Sequence, residues 1–234
     1  MAIDDKFALL TGGDLVVTGR LVDASNATLY AEVTLGAESM HCIYKPIAGE
    51  RPLWDFPDGA LAHREYAAYV ISERLGFNVV PLTILRDGPY GYGMVQEWID
   101  IDESIDLSIF FSSNDPALRS MAIFDAIINN TDRKIGHLLP TVSGHLYGCD
   151  HGVTFHSQDK LRTVLWQWSG DPLTAQELAM LREALVKLDS DIDLSEYLTL
   201  AEREAILIRV QRLISTAVMP IPHPDWPAVP WPAF

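Results

Sequence analysis

The sequence has little positive charge. It contains 17 Lys and Arg residues against 32 Asp and Glu residues, which gives a formal net charge of −15 at pH 7. General nucleic-acid binding needs a cationic surface that releases phosphate counterions, and an anionic membrane surface repels an acidic protein. The balance therefore argues against nucleic acid as a partner and against stable membrane association, and it leaves room only for a local basic pocket.

Cysteine and long apolar runs are also scarce. The two cysteines, Cys42 and Cys149, each lie in an apolar run, which is typical of buried thiols in a reducing compartment. No stretch of about eighteen residues is continuously apolar, so the sequence predicts no membrane-spanning helix. The first ten residues, MAIDDKFALL, lack the basic start and long apolar core of a signal peptide. These features predict a cytoplasmic protein.

The N-terminal part of the sequence is typical of strands with one helix. Runs rich in β-branched residues and bounded by turn-like residues predict strands over 14–22, 28–35, 40–46, 79–87 and 92–99. The stretch 60–76 has helical composition and ends at Gly76, a common C-terminal residue of helices. We therefore expect residues 1–98 to form an antiparallel sheet that carries one helix.

Helical patterns dominate after residue 99. Apolar residues recur at helical spacing over 115–130, and two short runs after it predict a hairpin. Two later helices each open with a capping box: Thr174 with Glu177, and Thr199 with Glu202. The Pro-rich tail over 220–234 is expected to be extended and anchored by Trp226 and Trp231. Residues 99–234 are thus predicted to form a mostly helical second lobe, and the fold class is α+β.

Four residues that could carry phosphoryl-transfer chemistry occur in a suitable order: Lys45, Glu65, Asp132 and Asp150. Each has an ordinary interpretation, as a strand-edge lysine, a solvated helix face or a turn residue. On the predicted helix, however, Glu65 lies on an inward face, where a carboxylate needs a cation such as Lys45. Phosphoryl transfer needs a lysine on the phosphates, a glutamate that orients it, and two carboxylates, one near the attacking hydroxyl and one on Mg²⁺.

A zinc site is the rival interpretation of the same region. Four histidines cluster with Asp150: His137, His145, His151 and His156. Histidine and aspartate can bind Zn²⁺, but the sequence has neither an HExxH motif nor a closely spaced Cys/His set. The phosphoryl-transfer interpretation is therefore favoured.

A family resemblance rests on several blocks taken in order: CIYKP, HREYAAYVISERLGFNVVPLT, FDAIINNTDR and CDHGVTF. Together they resemble the atypical kinases related to phosphatidylinositol 3-/4-kinases, with the type II lipid kinases and HipA-type protein kinases most similar. More narrowly, they resemble a branch of small actinobacterial proteins of this kind. The resemblance covers roughly residues 10–160. It implies a two-lobed protein-kinase-like fold, with an antiparallel sheet and one helix in the N-lobe and a mostly helical C-lobe.

The resemblance also implies roles for individual residues. Lys45 would contact the α- and β-phosphates of ATP, with Glu65 as its helix partner. Asp132 would be the catalytic base, and Asp150 the main ligand of Mg²⁺ or Mn²⁺. The adenine would lie against the connection between the lobes, at Gln96, Glu97 and Trp98, with backbone contacts from Gln96 and Trp98.

Two departures from the family pattern bear on activity. The loop between the first two strands, DASNAT, has no glycine, so Ser25, Asn26 and the local amides would have to cover the phosphates. His137 stands where the family has a metal-binding Asn. A neutral imidazole is a poor ligand for Mg²⁺ and a better one for Mn²⁺ or Zn²⁺. Either the metal requirement is altered, or the site binds nucleotide with reduced turnover.

The sequence therefore predicts an ATP-dependent phosphotransferase that acts on a hydroxyl of a soluble small molecule or protein. Arg133 and Lys134, beside Asp132, could neutralise an anionic substrate or the transferring phosphoryl group. Two alternatives stay open. One is a nucleotide-binding pseudokinase that acts on a protein partner, and the other is a kinase-like fold that transfers AMP.

Overall fold

The computed structural model describes residues 1–21, 27–57 and 59–234. The first elements in chain order are α1 (Ile3–Gly12), β1 (Asp14–Arg20), β2 (Leu29–Leu35), β3 (Glu38–Pro46), α2 (Leu61–Arg74), β4 (Thr83–Gly88) and β5 (Gly91–Glu97). The later elements are α3 (Leu107–Phe110), α4 (Pro116–Ile128), β6 (Leu138–Pro140), β7 (Leu146–Gly148), α5 (Ala175–Ser190) and α6 (Leu200–Thr216). The predicted α+β class, an antiparallel sheet lobe followed by a mostly helical lobe, is confirmed.

The sheet of the first lobe is antiparallel throughout, in the order β1-β2-β3-β5-β4. Alternate residues of β2 are buried, as are Cys42 and Tyr44 of β3, because successive side chains of a strand point to opposite faces. One face of the sheet therefore builds a core. Ile43 and Lys45 alternate to the other face and line a cleft.

Helix α1 covers the buried face of the sheet, and the sequence did not predict it. Leu9 and Leu10 are its buried residues and belong to the same apolar cluster as Val33 and Tyr44. Lys6 on this helix forms an ion pair with Glu97 at the end of β5. With two buried residues in ten, α1 shows too weak an apolar stripe to be recognised from sequence.

Helix α2 packs against the core of the helical lobe. Its buried Ala67, Ala68 and Ile71 join an apolar cluster that includes Phe124 of α4 and Val210 of α6.

The predicted capping boxes open α5 and α6. Strand β5 ends at Glu97 and α3 begins at Leu107; the division of the chain between residues 98 and 99 stays a prediction. Within the described ranges, no helix is both long and apolar enough to cross a membrane.

The C-terminal tail packs on the helical lobe, as expected, but only one of its two tryptophans contributes to the packing. The N–H of Ile135 donates to the Ala233 carbonyl at 2.9 Å, and the N–H of Thr163 donates to the Ala228 carbonyl at 3.1 Å. Trp226 is half-buried, whereas Trp231 is 91% exposed, so its predicted anchoring role is corrected. The backbone of residues 228 and 233 supplies the second anchor instead.

Candidate active site

Three of the predicted residues meet in one cluster. The Nζ atom of Lys45 lies 2.6 Å from Oε1 of Glu65 and 2.7 Å from Oδ1 of Asp150. Glu65 is buried, and its Oε2 accepts a hydrogen bond from the backbone N–H of His151 at 2.8 Å. Glu65 therefore fixes both the lysine and the segment that carries Asp150.

The position of α2 is set by a carboxylate outside the helix. Glu50 accepts hydrogen bonds from the N–H groups of Leu61 (3.1 Å) and Ala62 (2.8 Å), which are free donors of the first turn. A negative charge at this end also complements the helix dipole. The contact joins the segment after β3 to the helix that carries Glu65. It therefore fixes the position of Glu65 relative to Lys45.

The charges of the cluster stabilise one another. Burial alone would lower the pKa of Lys45, but the carboxylates of Asp150 and Glu65 raise it overall, so Lys45 is a cation. The Lys45 ammonium, in turn, holds the pKa of Asp150 well below its usual range. Asp150 has a φ of 63°, a left-handed conformation that is rare outside glycine. Such strained positions are common at functional sites.

Asp132 lies in the loop after α4, and its carboxylate faces the same cleft as Asp150. Its N–H donates to Oδ1 of Asn130 at 3.0 Å, and its Oδ2 lies 3.4 Å from Nζ of Lys134. Burial raises the pKa of the Asp132 carboxyl, and Lys134 opposes this shift. A carboxylate with a raised pKa is a stronger base, which suits the predicted role at an acceptor hydroxyl.

Arg133 does not face the cleft, so the expectation that it neutralises a substrate is corrected. Its guanidinium is fully buried and bonds both oxygens of Asp125 on α4, through Nε at 2.9 Å and one terminal nitrogen at 2.8 Å. The other terminal nitrogen donates to the Cys149 carbonyl at 3.1 Å. Arg133 is therefore a positioning residue that joins α4, the loop of Asp132 and the segment of Asp150.

His137 lies beside Asp150, with 3.5 Å between Nε2 and Oδ2. Burial lowers the pKa of His137 to about 4, so the ring is neutral at pH 7. Its Nδ1 accepts a long hydrogen bond, 3.4 Å, from the N–H of Lys134, which places the ring hydrogen on Nε2, toward Asp150. Metal binding through Nε2 requires the other tautomer, and it stays a prediction.

A cavity of about 670 Å³ lies between the lobes beside Lys45 and Asp150. Its apolar walls include Ile43, Leu139 and Cys149, and the connection after β5 also lines it. This size and mixture of apolar walls with a charged end are typical of small-molecule sites.

The residues predicted to contact adenine, Gln96, Glu97 and Trp98, line the cavity. The N–H of Glu97 already donates to the Leu82 carbonyl (2.8 Å), and the N–H of Trp98 donates to the His41 carbonyl (3.1 Å). The Gln96 side chain donates to Oγ1 of Thr83 at 2.8 Å. The N–H of Trp98 is therefore taken, so a contact from its backbone would use the carbonyl. The adenine contacts of Gln96, Glu97 and Trp98 stay a prediction, and residues 99–101 also line the cavity. Ser25 and Asn26 lie outside the described residues.

The donor set suits a hard divalent ion. Asp150 and Asp132 are carboxylates on one cleft, and the Asp150 side chain is half exposed. Within the described part of the chain, no group of three or more His, Cys, Asp or Glu side chains could hold a metal by itself. Mg²⁺ commonly binds through one or two carboxylates, several waters and substrate phosphates, so a half-exposed Asp150 fits it.

Several site residues were not predicted from the sequence. Arg162, thirty positions after Asp132, donates from Nε to the Thr131 carbonyl at 2.8 Å and lines a cavity together with Asp132. No motif or spacing connects it to the catalytic loop.

The two cysteines are free, and burial raises the pKa of both thiols to about 12, which excludes a reactive thiolate.

A sheet lobe whose strand lysine pairs with a helix glutamate, followed by a helical lobe that supplies two aspartates to the same cleft, defines a kinase-like fold. The chain belongs to the family of Protein Rv2133c of Mycobacterium tuberculosis, with which it is 42% identical over 268 residues that cover 99% of this chain and 96% of that protein.

Two further comparisons are less informative. No protein-family model matches the sequence, so the likeness to phosphatidylinositol 3-/4-kinase-like proteins remains a resemblance. Among solved structures, the chain is similar to the Helicobacter pylori proinflammatory kinase CtkA, with a TM-score of 0.48 and 12% sequence identity over 90% of this chain and 94% of that one. That degree of likeness is too low to indicate a shared activity.

Proposed function

We propose that the protein is an ATP-dependent phosphotransferase that acts on a hydroxyl group. The observation that carries the proposal is the cluster of Lys45, Glu65 and Asp150 at the point where two cavities meet, with Asp132 lining one of them. A structural ion pair alone does not need a second carboxylate half open to a cleft. By contrast, a lysine that contacts two carboxylates can give up one of these contacts and bind a phosphate oxygen instead.

In this proposal each residue has one task. Lys45, kept in place by Glu65, binds the α- and β-phosphates of ATP. The apolar walls around Ile43 and Leu139 exclude water from the adenine ring. Asp132 accepts the proton of the attacking hydroxyl. Asp150 would be the main protein ligand of Mg²⁺ or Mn²⁺, which supplies neutralisation of the phosphate charge when bound. Arg133 and its partner Asp125 keep the two aspartates at a fixed separation.

A nucleotide-binding pseudokinase is the second candidate, and the observation that favours it is His137. The imidazole stands where the family has a metal-binding Asn, and the tautomer inferred from its contact with Lys134 directs the ring hydrogen toward Asp150. Such a site would bind nucleotide with one metal ligand fewer. Partner affinity that depends on ATP, without any transfer, would support this candidate.

Asp132→Asn separates the two candidates. We expect the wild type to transfer labelled phosphate from ATP to members of a broad acceptor panel, or to hydrolyse ATP. The variant should be slower by about 10²- to 10⁴-fold, the usual contribution of a positioned base. Thermal stabilisation by ATP with metal should be retained, since Asp132 does not contact Lys45. Stabilisation by ATP without any turnover in the wild type would contradict the enzyme and favour the pseudokinase.

His137→Asn tests the metal role of the imidazole. Because an amide oxygen is a harder ligand than a neutral imidazole nitrogen, we expect the ratio of the Mg²⁺-supported to the Mn²⁺-supported rate to rise several-fold in the variant. Parallel rate measurements with the two metals check this. An unchanged ratio would show that His137 only orients Asp150. His145→Asn is the matched control, since that ring bonds the Asn78 carbonyl away from the cleft.

A further inference from the structure

A second cavity, of about 370 Å³, adjoins the first and shares Lys45 and Asp150 with it. The rest of its lining does not belong to the first cavity. It comes from the segment after β3, the start of α2, the loop of Asp132 and the C-terminal tail. The carboxylate of Asp132 lines this second cavity. A group bound here lies beside the predicted base and beside the residues that would hold the phosphates.

An arginine with open donors lies next to Asp132. Nε of Arg162 donates to the Thr131 carbonyl at 2.8 Å, which fixes the guanidinium beside the loop. Across residues 1–21, 27–57 and 59–234, its two terminal nitrogens have no hydrogen-bond or ion-pair partner. The charge of Arg162 is close enough to Asp132 to act on its carboxylate. A guanidinium presents parallel N–H groups that match a carboxylate or phosphate.

Two indole rings form an aromatic wall of the same cavity. The ammonium of Lys160 lies 4.8 Å from the Trp54 ring centroid and 5.0 Å from that of Trp226, and it is fixed by Asp55 at 2.9 Å. Lys160 thus joins three distant segments of the chain. Trp54 nevertheless remains 86% exposed, so most of its ring is available to a molecule in the cavity that it lines.

We propose that this second cavity is the acceptor site, and that the acceptor is a small molecule with both a hydroxyl and an anionic group, either carboxylate or phosphate. The proposal rests on the phosphotransferase function proposed above. The volume suits a small molecule and is too small for a folded partner. Arg162 binds the anionic group, Trp54 covers the carbon skeleton, and the hydroxyl is directed at Asp132.

The transfer step follows from this placement. The acceptor oxygen attacks the γ-phosphorus of ATP, and the new O–P bond forms as the bond between the γ-phosphorus and the β,γ-bridging oxygen breaks. The bridging oxygen keeps the electron pair and leaves as part of ADP. The hydroxyl proton passes to Asp132. The products are ADP and the phosphate ester of the acceptor, with no other reactant required.

Matched acceptor pairs test the inference. Glycerol is compared with glycerol 3-phosphate and D-glycerate, and glucose with glucose 6-phosphate, using labelled ATP. Because a hydrogen bond to a charged group adds about tenfold or more in affinity, we expect kcat/KM for the anionic member to exceed that of the neutral member by at least about tenfold. Glycerol 3-phosphate should also raise the melting temperature of the protein saturated with ADP.

Variants of Arg162 assign the preference to its guanidinium. In Arg162→Gln the ratio of anionic to neutral kcat/KM should fall toward one, and Arg162→Lys should restore part of it. Arg212→Gln is the control, since that guanidinium is exposed and paired with Asp159, and its ratio should equal that of the wild type.

The outcomes separate the two proposals. If ATP with metal gives no thermal stabilisation, the nucleotide site itself is refuted. If ATP stabilises the protein but the anionic probes are neither phosphorylated nor bound, the acceptor inference alone is overturned. A preference that Arg162→Gln leaves unchanged also overturns it, and so does transfer to protein substrates only.

Discussion

Asp150→Asn should abolish the metal-dependent part of ATP binding and leave metal-free ATP binding intact. Asp150 has two effects on a nucleotide. Its carboxylate would hold a metal that neutralises the phosphate charge, and it would also compete with the phosphates for Lys45, whose Nζ lies 2.7 Å from Oδ1 of Asp150. The amide removes both effects, because it is neutral. The metal therefore loses a ligand, while Lys45 loses a competitor.

A thermal-shift series measures the two parts separately. At about 100 times the dissociation constant, ATP with Mg²⁺ or Mn²⁺ should stabilise the wild type by roughly 2.7 kcal/mol. In Asp150→Asn the increment due to metal should disappear, and the shift with ATP and chelator should equal or exceed that of the wild type. Asp159→Asn is the control, because that carboxylate is surface-exposed and paired with Arg212.

Two results would contradict this account. If the metal-dependent shift of Asp150→Asn equals that of the wild type, Asp150 is not a metal ligand. If ATP gives no shift in the wild type with either metal, the cleft is not a nucleotide site, whatever its shape. The same variant should also lose transfer activity, because the phosphate charge would no longer be neutralised.

The residues of the site that can be predicted are those that lie on periodic elements. Lys45 lies near the end of an alternating strand, and Glu65 lies on the inward face of a helix, where a carboxylate needs a cation. That pattern predicts the pair, and the structure places Nζ of Lys45 2.6 Å from Oε1 of Glu65. The fold class could be predicted for the same reason, since strand and helix periods are local properties of the sequence. Helix α1 was missed because it buries only two leucines.

Residues that act through tertiary contacts could not be predicted. Arg162 and Trp226 reach the cleft from loops far along the chain, and no local pattern marks them. Arg133 was misassigned because it adjoins Asp132 in sequence. In an extended segment, however, neighbouring side chains point to opposite sides, and Arg133 pairs with Thr163 in a short β-bridge. Asp132 therefore faces the cleft, and Arg133 enters the core.

The contact between Asp125 and Arg133 leads to the largest expected effect on stability. Both side chains are fully buried, and the guanidinium bonds both carboxylate oxygens. Removing one member of a buried pair leaves an uncompensated charge in a medium that solvates it poorly. We therefore expect Asp125→Ala to lower the free energy of unfolding by about 3–5 kcal/mol. For a chain of this size, that loss lowers the melting temperature by about 6–20 °C.

Denaturant unfolding of three variants measures the effect and its origin. Glu183→Ala, which removes the exposed partner of Lys187 one helical turn away, should cost no more than about 0.5 kcal/mol, because water screens that pair. Asp125→Leu combined with Arg133→Met should recover most of the stability lost in Asp125→Ala, since it removes both charges. If Asp125→Ala costs no more than Glu183→Ala, the buried pair does not stabilise the fold.

The same pair should matter for the site at temperatures where the variants are still folded. Arg133 also donates to the Cys149 carbonyl, so the charge of Asp125 holds the guanidinium between the loop of Asp132 and the segment of Asp150. The double variant restores stability but not that hydrogen bond. We therefore expect it to be well folded and yet to bind ATP with metal more weakly than the wild type. Equal binding would show that the backbone fixes the separation of the two aspartates without Arg133.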